Sequence, residues 1–402
     1  MPRTYERTHP WLGFELDLRR FPAELWLLLG EARSKCEHLA GVPLRPETAK
    51  QLHALYLAKG VLATTAIEGN TLTEEQVAQH LDGKLQLPPS KQYLQTEIRN
   101  ILGACNDVVS AIASGTPVQL DPATINDFNR RVLADLELRE GVVPGAIRTY
   151  AVGVARYRGA PPEDCAYLLD RLTSWLRDLD QHAPAEMGMA MAMVRAVVAH
   201  LYIAWIHPYG DGNGRTARLV ELAILFEAGV PAPAAHLLSN HYNETRSRYY
   251  DQLDRASRGD NGPVPFLLYA MRGLVDQLRQ QVDRVREQQL DVAWRSHVHE
   301  QFDRLEKSAT TDRRRWLLLD LSRQPAPVRR RDLMALTPRL AKAYATKTTK
   351  TLSRDINTLI ELGLAIQEGG RVHARTEVIQ AFLPVRRRAS PPPASSTRAD
   401  NA

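Results

Sequence analysis

Residues 187–206, MGMAMAMVRAVVAHLYIAWI, are apolar except for Arg195 and His200 near the middle. Twenty such residues could cross a bilayer, but two ionisable side chains at mid-length favour a helix buried in protein. The alternating Met187, Met189, Met191 and Met193 read as adaptable packing within that helix. Such a helix has to be covered by other elements, and periodicity makes most of those helical too. Arg45 to Ile67 repeats apolar residues at helical spacing (Leu52, Leu55, Tyr56, Val61, Leu62), with Pro46 in the first turn and a stop at Gly69. Thr73-Glu74-Glu75-Gln76 reads as a capping box, and Asp121-Pro122 opens a helix carrying Ile125, Phe128 and Val132. The exception is Arg148–Arg158, RTYAVGVARYR, whose β-branched and aromatic residues around Gly153 predict a short β-hairpin.

Charge divides the chain. Residues 307–388 hold 18 basic against 7 acidic side chains, whereas residues 1–306 hold 33 against 38. A mildly acidic body is thus followed by a module that could meet a polyanion. From Pro263 to about Lys307 a Gln- and Arg-rich run of alternating charge predicts an extended helix between the two. The tail from Arg386, RRRASPPPASSTRADNA, has no core-forming residues and is expected to be disordered. Three cysteines, Cys36, Cys105 and Cys165, share no metal-ligand spacing and read as reduced core residues. The opening MPRTYERTHPWLGF lacks an apolar signal core, so a cytoplasmic protein without a membrane partner is expected.

Directly after the apolar helix comes HPYGDGNGR, residues 207–215, and the next apolar run, Thr216–Phe226, closes at Gly229. The segment is therefore a loop between two helices. Gly212 and Gly214 let successive N–H groups point at one anion, at the positive end of the helix that starts near Arg215. Arg215 and Arg218, three apart, can reach the same side and take phosphate oxygens. Asp211 is the hard oxygen donor expected of a Mg²⁺ that bridges phosphates, and Asn213 can offer its amide to a phosphate oxygen. His207, titrating near neutrality, suits a base that takes a proton from an attacking hydroxyl. His200, inside the apolar helix, reads as a hydrogen-bonded core histidine.

His207-Pro208-Tyr209-Gly210-Asp211-Gly212-Asn213-Gly214-Arg215-Thr216-Ala217-Arg218 resembles the Fic signature HPFxxGNGRxxR, with Tyr209 for the usual Phe. Ala199-His200-Leu201-Tyr202 and Trp205-Ile206 also resemble the family's approach to its motif. The resemblance implies a mainly α fold, a Fic-type helical core with a β-hairpin flap. It also implies transfer of AMP from ATP to a protein hydroxyl (Tyr, Thr or Ser), on a target protein or on the chain itself. His207 would be the base, Asp211 the Mg²⁺ ligand, and Gly212, Asn213, Gly214, Arg215 and Arg218 the phosphate site. UMP or another phosphate-linked group as cargo, and removal of AMP, stay open.

Thr64 and Glu68 stand four apart before Gly69, and Glu68 lies in a last turn, where the helix dipole disfavours a carboxylate unless a cation faces it. The segment matches the inhibitory motif of Fic proteins: Ser or Thr, three residues, Glu, then Gly or Asn. In the family that glutamate pairs with the second arginine of the signature, here Arg218, and an N-terminal position makes the chain resemble class II. Gly145-Ala146-Ile147-Arg148-Thr149 resembles the start of the flap, so Val152, Gly153, Val154, Ala155, Arg156 and Tyr157 would dock a target as an added strand. Tyr249-Tyr250 resembles the stretch that borders the adenine, although Ser257 stands where some relatives have an asparagine.

The basic module predicts helices at Arg315–Leu321, Val328–Leu336 and Thr348–Leu362, then a hairpin, Leu364–Ala374, closed by Gly369-Gly370. That pattern is a winged helix-turn-helix. Lys347, Lys350, Arg354 and Arg371 would face DNA phosphates and bases, with a protein partner or a homodimer as the other use. A nucleotide-sensing, DNA-binding regulator is thus the reading from a second class. The expected organisation is an N-terminal helical region (1–110), a Fic core (111–262), a linker helix (263–310), a winged helix (311–384) and the tail (385–402).

Overall fold

In the computed structural model the apolar run becomes one helix, Gly188–Ile206, with nearly every side chain buried, His200 included. It is long and apolar enough to span a membrane, but here its surroundings are protein. Residues 3–116, 118–154, 157–181, 185–258 and 262–380 are described, and the chain divides into two units, Met1–Arg284 and Val285–Ala402.

The first unit begins with α1 (Thr4–Thr8), α2 (Ala23–Gly41), α3 (Pro46–Ala66), α4 (Glu74–Leu81), α5 (Gln92–Ala113) and α6 (Pro122–Val132). A two-stranded hairpin follows, β1 (Gly153–Val154) and β2 (Tyr157–Arg158), pairing Gly153 with Arg158 and Val154 with Tyr157. Next come α7 (Pro162–Gln181), α8 (Gly188–Ile206), α9 (Asn213–Glu227), α10 (Ala232–Ala235), α11 (Leu237–Glu244), α12 (Arg246–Ala256) and the long α13 (Val264–Asp303). The starts follow local chemistry. Thr73 and Gln76 close a reciprocal capping box on α4, and the Asp121 side chain accepts from Thr124 N at the head of α6.

α8 packs against α7, α9 and α2, and α9 in turn meets α5, α6 and α3. These two central helices therefore hold the loop between them on a rigid base. The three cysteines are free and buried in the same core. α3 also docks on α11, and Gly60 lies so close to His236 that a Cβ would collide with the ring.

α13 is more than a spacer. Its residues Phe266 to Leu278 belong to the first core, while Trp294, Val298 and Phe302 belong to the second. The second unit continues with α14 (Ala309–Leu321), β3 (Val328–Arg329), α15 (Pro338–Tyr344), α16 (Thr349–Glu361), β4 (Ala365–Glu368) and β5 (Arg371–Ala374). The strands form one antiparallel sheet in the order β3-β5-β4, and Gly369 and Gly370, both at positive φ, make the two-residue turn. The expected helix at Val328–Leu336 is instead a strand leading into a 3₁₀ turn, Arg330–Ala335, and the second helix starts later, at Pro338. Thr337 caps it, and Val328 pairs with Val372, a partner 44 residues away that no local pattern could announce. Asp355 of α16 is buried and accepts from Arg313 Nε (2.8 Å) and Nη2 (3.3 Å), Arg314 Nε (2.8 Å) and Tyr344 Oη (2.9 Å). The predicted tail lies outside the described residues.

Candidate active site

α8 ends because His207 takes a left-handed conformation (φ 49°, ψ 58°), and Gly212 (φ 75°) turns the chain again into α9. Between them the loop is closed by Asn213, whose Oδ1 accepts from Tyr209 N (2.9 Å) while its Nδ2 donates to Tyr209 O (2.8 Å). The amide expected to face a phosphate thus braces the loop, with one N–H still to spare. α6 supports the loop from below. Asn129 Nδ2 donates to Asp211 O (3.0 Å), its Oδ1 accepts from Gly145 N (2.9 Å), and Tyr209 Oη reaches Asn126 Oδ1 (2.8 Å).

The hairpin is fastened to this loop at both feet. Arg148 N donates to Pro208 O (3.0 Å) and Ala160 N to Ile206 O (3.1 Å). The Arg148 guanidinium adds His207 O (Nε, 2.8 Å), Tyr150 O (Nη1, 2.7 Å) and Ala160 O (Nη2, 2.5 Å). All three carbonyls from Ile206 to Pro208 are therefore held by the hairpin's stems. Val152, Gly153 and Tyr157 line the cavity beside His207, whereas Ala155 and Arg156 lie outside the described residues, as does the Val154 side chain.

His207 Nδ1 lies 3.4 Å from Ala204 O, an acceptor, which places the proton on Nδ1 and the free lone pair on Nε2. Burial and then the nearby Arg148 cation pull its pKa from 6.5 to about 4, against a partial lift from the Ala204 carbonyl, Glu68 and Asp211. The imidazole is thus neutral at physiological pH, well away from the near-neutral titration expected from its residue type, and ready to accept a proton.

At the N-terminus of α9 stand the two arginines. Arg215 is locked between Glu97 Oε1 (2.8 Å) and Asp211 Oδ1 (3.2 Å), and Asn70 Nδ2 holds the other oxygen of Glu97 (2.8 Å). Arg218 is 0 % exposed, and its Nη2 donates to Glu68 Oε1 (2.5 Å) and Thr64 O (2.9 Å). Its Nε and Nη1 have no partner among the described residues, nor has Arg215 Nε. Glu68 keeps 30 % of its side chain open, and a Cβ added to Gly214 would collide with its Oε1. Its carboxylate therefore sits where the first N–H groups of α9 would receive an anion. Burial alone would raise its pKa, but Arg218, helped by Arg215, holds it below the ordinary carboxylate range. Gly69, at φ 105°, turns the chain away immediately after it.

A cavity of about 970 Å³ opens over the loop, lined by Glu68, His207, Asp211, Gly212, Asn213 and Gly214 and walled by α12. Tyr249 and Tyr250 diverge there. Tyr249 is buried, stacked on Tyr242, with its hydroxyl 2.9 Å from His200 Nε2, while Tyr250 is exposed and reaches Ile67 O (3.3 Å). His200 is indeed a core residue, its Nδ1 3.3 Å from Glu221. Ser257 turns its hydroxyl to Asp254 O (2.7 Å). Among the described residues no cluster of three or more His, Cys, Asp or Glu side chains could hold a metal, so Asp211 stands alone. Both contacts of its carboxylate among the described residues fall on Oδ1 (Gly212 N and Arg215), leaving Oδ2 of this cavity-lining residue without one. That fits a Mg²⁺ whose other ligands come from phosphates and water.

The structure brings together His207, Asp211, Gly212, Asn213, Gly214, Arg215, Arg218, Thr64, Glu68 and both tyrosines. Sequence reasoning missed Asn70, Glu97, Asn126 and Asn129, and the role of Arg148. Glu97, Asn126 and Asn129 lie on helices whose patterns speak only of packing, Asn70 and Arg148 lie in loops, and each reaches a site partner tens of residues away in sequence.

Residues 119–225 match the family model described as Fic/DOC family. A protein adenylyltransferase fic-1 of Caenorhabditis briggsae is 30% identical over 234 residues, 58% of this chain and 42% of that protein. A protein adenylyltransferase Fic of Drosophila ananassae is 32% identical over 204 residues, 50% of this chain and 37% of that protein. The chain thus spans less than half the length of either relative. The solved structure of a Fic family protein from Desulfovibrio desulfuricans shares the fold at 20% identity, with a TM-score of 0.54 over 88% of this chain and 96% of that one. Fic-1 of Caenorhabditis elegans (residues 134–508) gives a TM-score of 0.50 at 22% identity, over 65% of this chain and 72% of that one.

Proposed function

Since the chain carries a Fic domain at residues 119–225, we propose that it is a protein adenylyltransferase, moving AMP from ATP onto a hydroxyl of a target protein or of itself. The observation that carries this reading is Arg218: a fully buried guanidinium with two unpartnered donor nitrogens, paired with the Glu68 that lines the same cavity as a neutral imidazole. Donors left over on a buried cation call for an anion with several oxygens, which a triphosphate supplies. Nε2 of His207 takes the proton of the attacking hydroxyl, the oxygen attacks the α-phosphorus, and pyrophosphate leaves. The N–H groups at the start of α9 and the spare N–H of Asn213 receive phosphate oxygens. Asp211 would hold Mg²⁺, which when bound offsets phosphate charge. The open edge of β1 and β2 offers backbone groups to a target strand.

Glu68 in this reading is an inhibitor: its carboxylate takes Nη2 of Arg218 and the anion space beside Gly214. The decisive experiment is His207→Ala. Transfer of labelled AMP should vanish while ATP binding stays nearly intact, because the base acts on the hydroxyl and not on the phosphates. Equal loss of both would make His207 structural. Running ATP beside UTP and GTP in that assay separates adenylyl transfer from other nucleotidyl cargo.

For the second unit we propose a winged helix that contacts duplex DNA, on the support of one exposed face. The head of α16 exposes Thr348, Thr349, Lys350 and Arg354, its N-cap Thr348 makes no side-chain cap, and Arg371 is exposed at the hairpin turn. Free N–H groups beside cations suit phosphates. Affinity of the full chain for duplex DNA should fall steeply with salt; salt-insensitive binding, or none, assigns the face to a protein partner.

A further inference from the structure

Four tyrosines line the cavity: Tyr150, Tyr157, Tyr249 and Tyr250. Three of them have their hydroxyls engaged. Tyr157 donates to Trp205 O (2.7 Å), Tyr249 meets His200 and Tyr250 meets Ile67 O. Tyr150 alone has a hydroxyl with no protein partner among the described residues, and it is 38 % exposed. Its ring lies over the catalytic loop, so that a Cβ added to Gly210 would collide with Oη and crowd Val142. Gly210 is three residues from His207 and one from Asp211. The same guanidinium, that of Arg148, grips the carbonyls of both Tyr150 and His207, so phenol and imidazole hang from one anchor.

We propose that Tyr150 is a modification site of this chain, its hydroxyl accepting AMP within the same molecule. The inference rests on the adenylyltransferase reading above. Oη attacks the α-phosphorus of ATP, and the bond from that phosphorus to the oxygen bridging it to the β-phosphate breaks. Pyrophosphate leaves, and the phenolic proton passes to Nε2 of His207. A hydroxyl tethered inside the cavity has an effective concentration that no diffusing target matches. The bare backbone of Gly210 leaves the room in which the ring sits. Once adenylylated, Tyr150 would fill the acceptor side of the cavity and shut out other hydroxyls, making the reaction self-limiting.

The test uses the full-length chain carrying Glu68→Gly, incubated with ATP and Mg²⁺ and followed by intact mass and peptide mapping. One AMP should appear on the tryptic peptide Thr149–Arg156, with fragmentation placing it on the tyrosine. It should be lost from that peptide in Glu68→Gly with Tyr150→Phe, and its initial rate per molecule should not change over a hundred-fold dilution of the protein. AMP on other residues or on lysate proteins with Tyr150 unmodified overturns the inference and leaves the adenylyltransferase reading standing. A rate that scales with protein concentration also overturns it, because the transfer is then between molecules. No AMP on any protein sinks both.

Discussion

Two of the buried arginines that pair with carboxylates, Arg313 and Arg218, are built to opposite ends. In the second unit Arg313 meets Asp355 with two nitrogens, and Arg314 and Tyr344 occupy what remains of a carboxylate that is itself buried. In the first unit Arg218 is as buried, yet it meets Glu68 through a single nitrogen, keeps two donors without partners, and faces a carboxylate partly open to a cavity. Asp355 sits within a 13-residue helix, whereas Glu68 sits just past the end of one, followed by a glycine at positive φ. A saturated pair fixes a fold. An unsaturated pair at a helix end can exchange one anion for another.

The largest effect should come from breaking the saturated pair. Asp355→Ala leaves two cations facing each other with no counter-charge and should cost the second unit about 3–5 kcal/mol. Urea unfolding of the full chain would show this as an early transition, without any gain in AMP labelling. A loss under about 1 kcal/mol would mean the pair is no lock.

Glu68→Gly should act the other way. Labelling with AMP is expected to rise by roughly ten-fold for each 1.4 kcal/mol that the pair is worth. Because Arg218 then lacks a counter-charge, Tm without nucleotide should drop and ATP should raise it more than it raises the parent protein's. Adding Arg218→Ala to Glu68→Gly should abolish the gain in labelling; a gain that survives would show that Glu68 restrains something other than this arginine.

A smaller effect is expected from pH. With the His207 pKa drawn down to about 4, the imidazole is deprotonated from mildly acidic pH upward. The acid limb of kcat/KM for Glu68→Gly should therefore lie well below 6.5, with a plateau from about pH 6 to 8. A limb near 6.5 would mean that the imidazole is solvated in the working state.

The two pairs also differ in how much of them the sequence discloses. Glu68 and Arg218 stand out in the amino-acid sequence alone, since each belongs to a short motif whose residue types carry chemistry at a set spacing. Asp355 and Arg313 do not, because a carboxylate on one amphipathic helix and an arginine on another look like surface residues until the helices pack. The same holds inside the site. The loop from His207 to Arg218 is legible, along with the apolar helix that leads into it, the capping box at Thr73 and the hairpin at Gly153. Asn129, Glu97 and Arg148 are not, since their work is to satisfy backbone groups and charges brought near only by the fold. Val328–Leu336 misleads for a related reason: its strand exists only because β5 returns to it.

The three successive carbonyls from Ile206 to Pro208, gripped by the stems of the hairpin, would give the proposed enzyme a form of quality control. A segment laid along β1 and β2 cannot push the hairpin aside without dragging the loop that aims the imidazole. In the transfer proposed above, an ill-fitting segment would thus be penalised in turnover even where it sticks, and discrimination would be exercised at the moment of reaction, by a ruler attached to the proposed base.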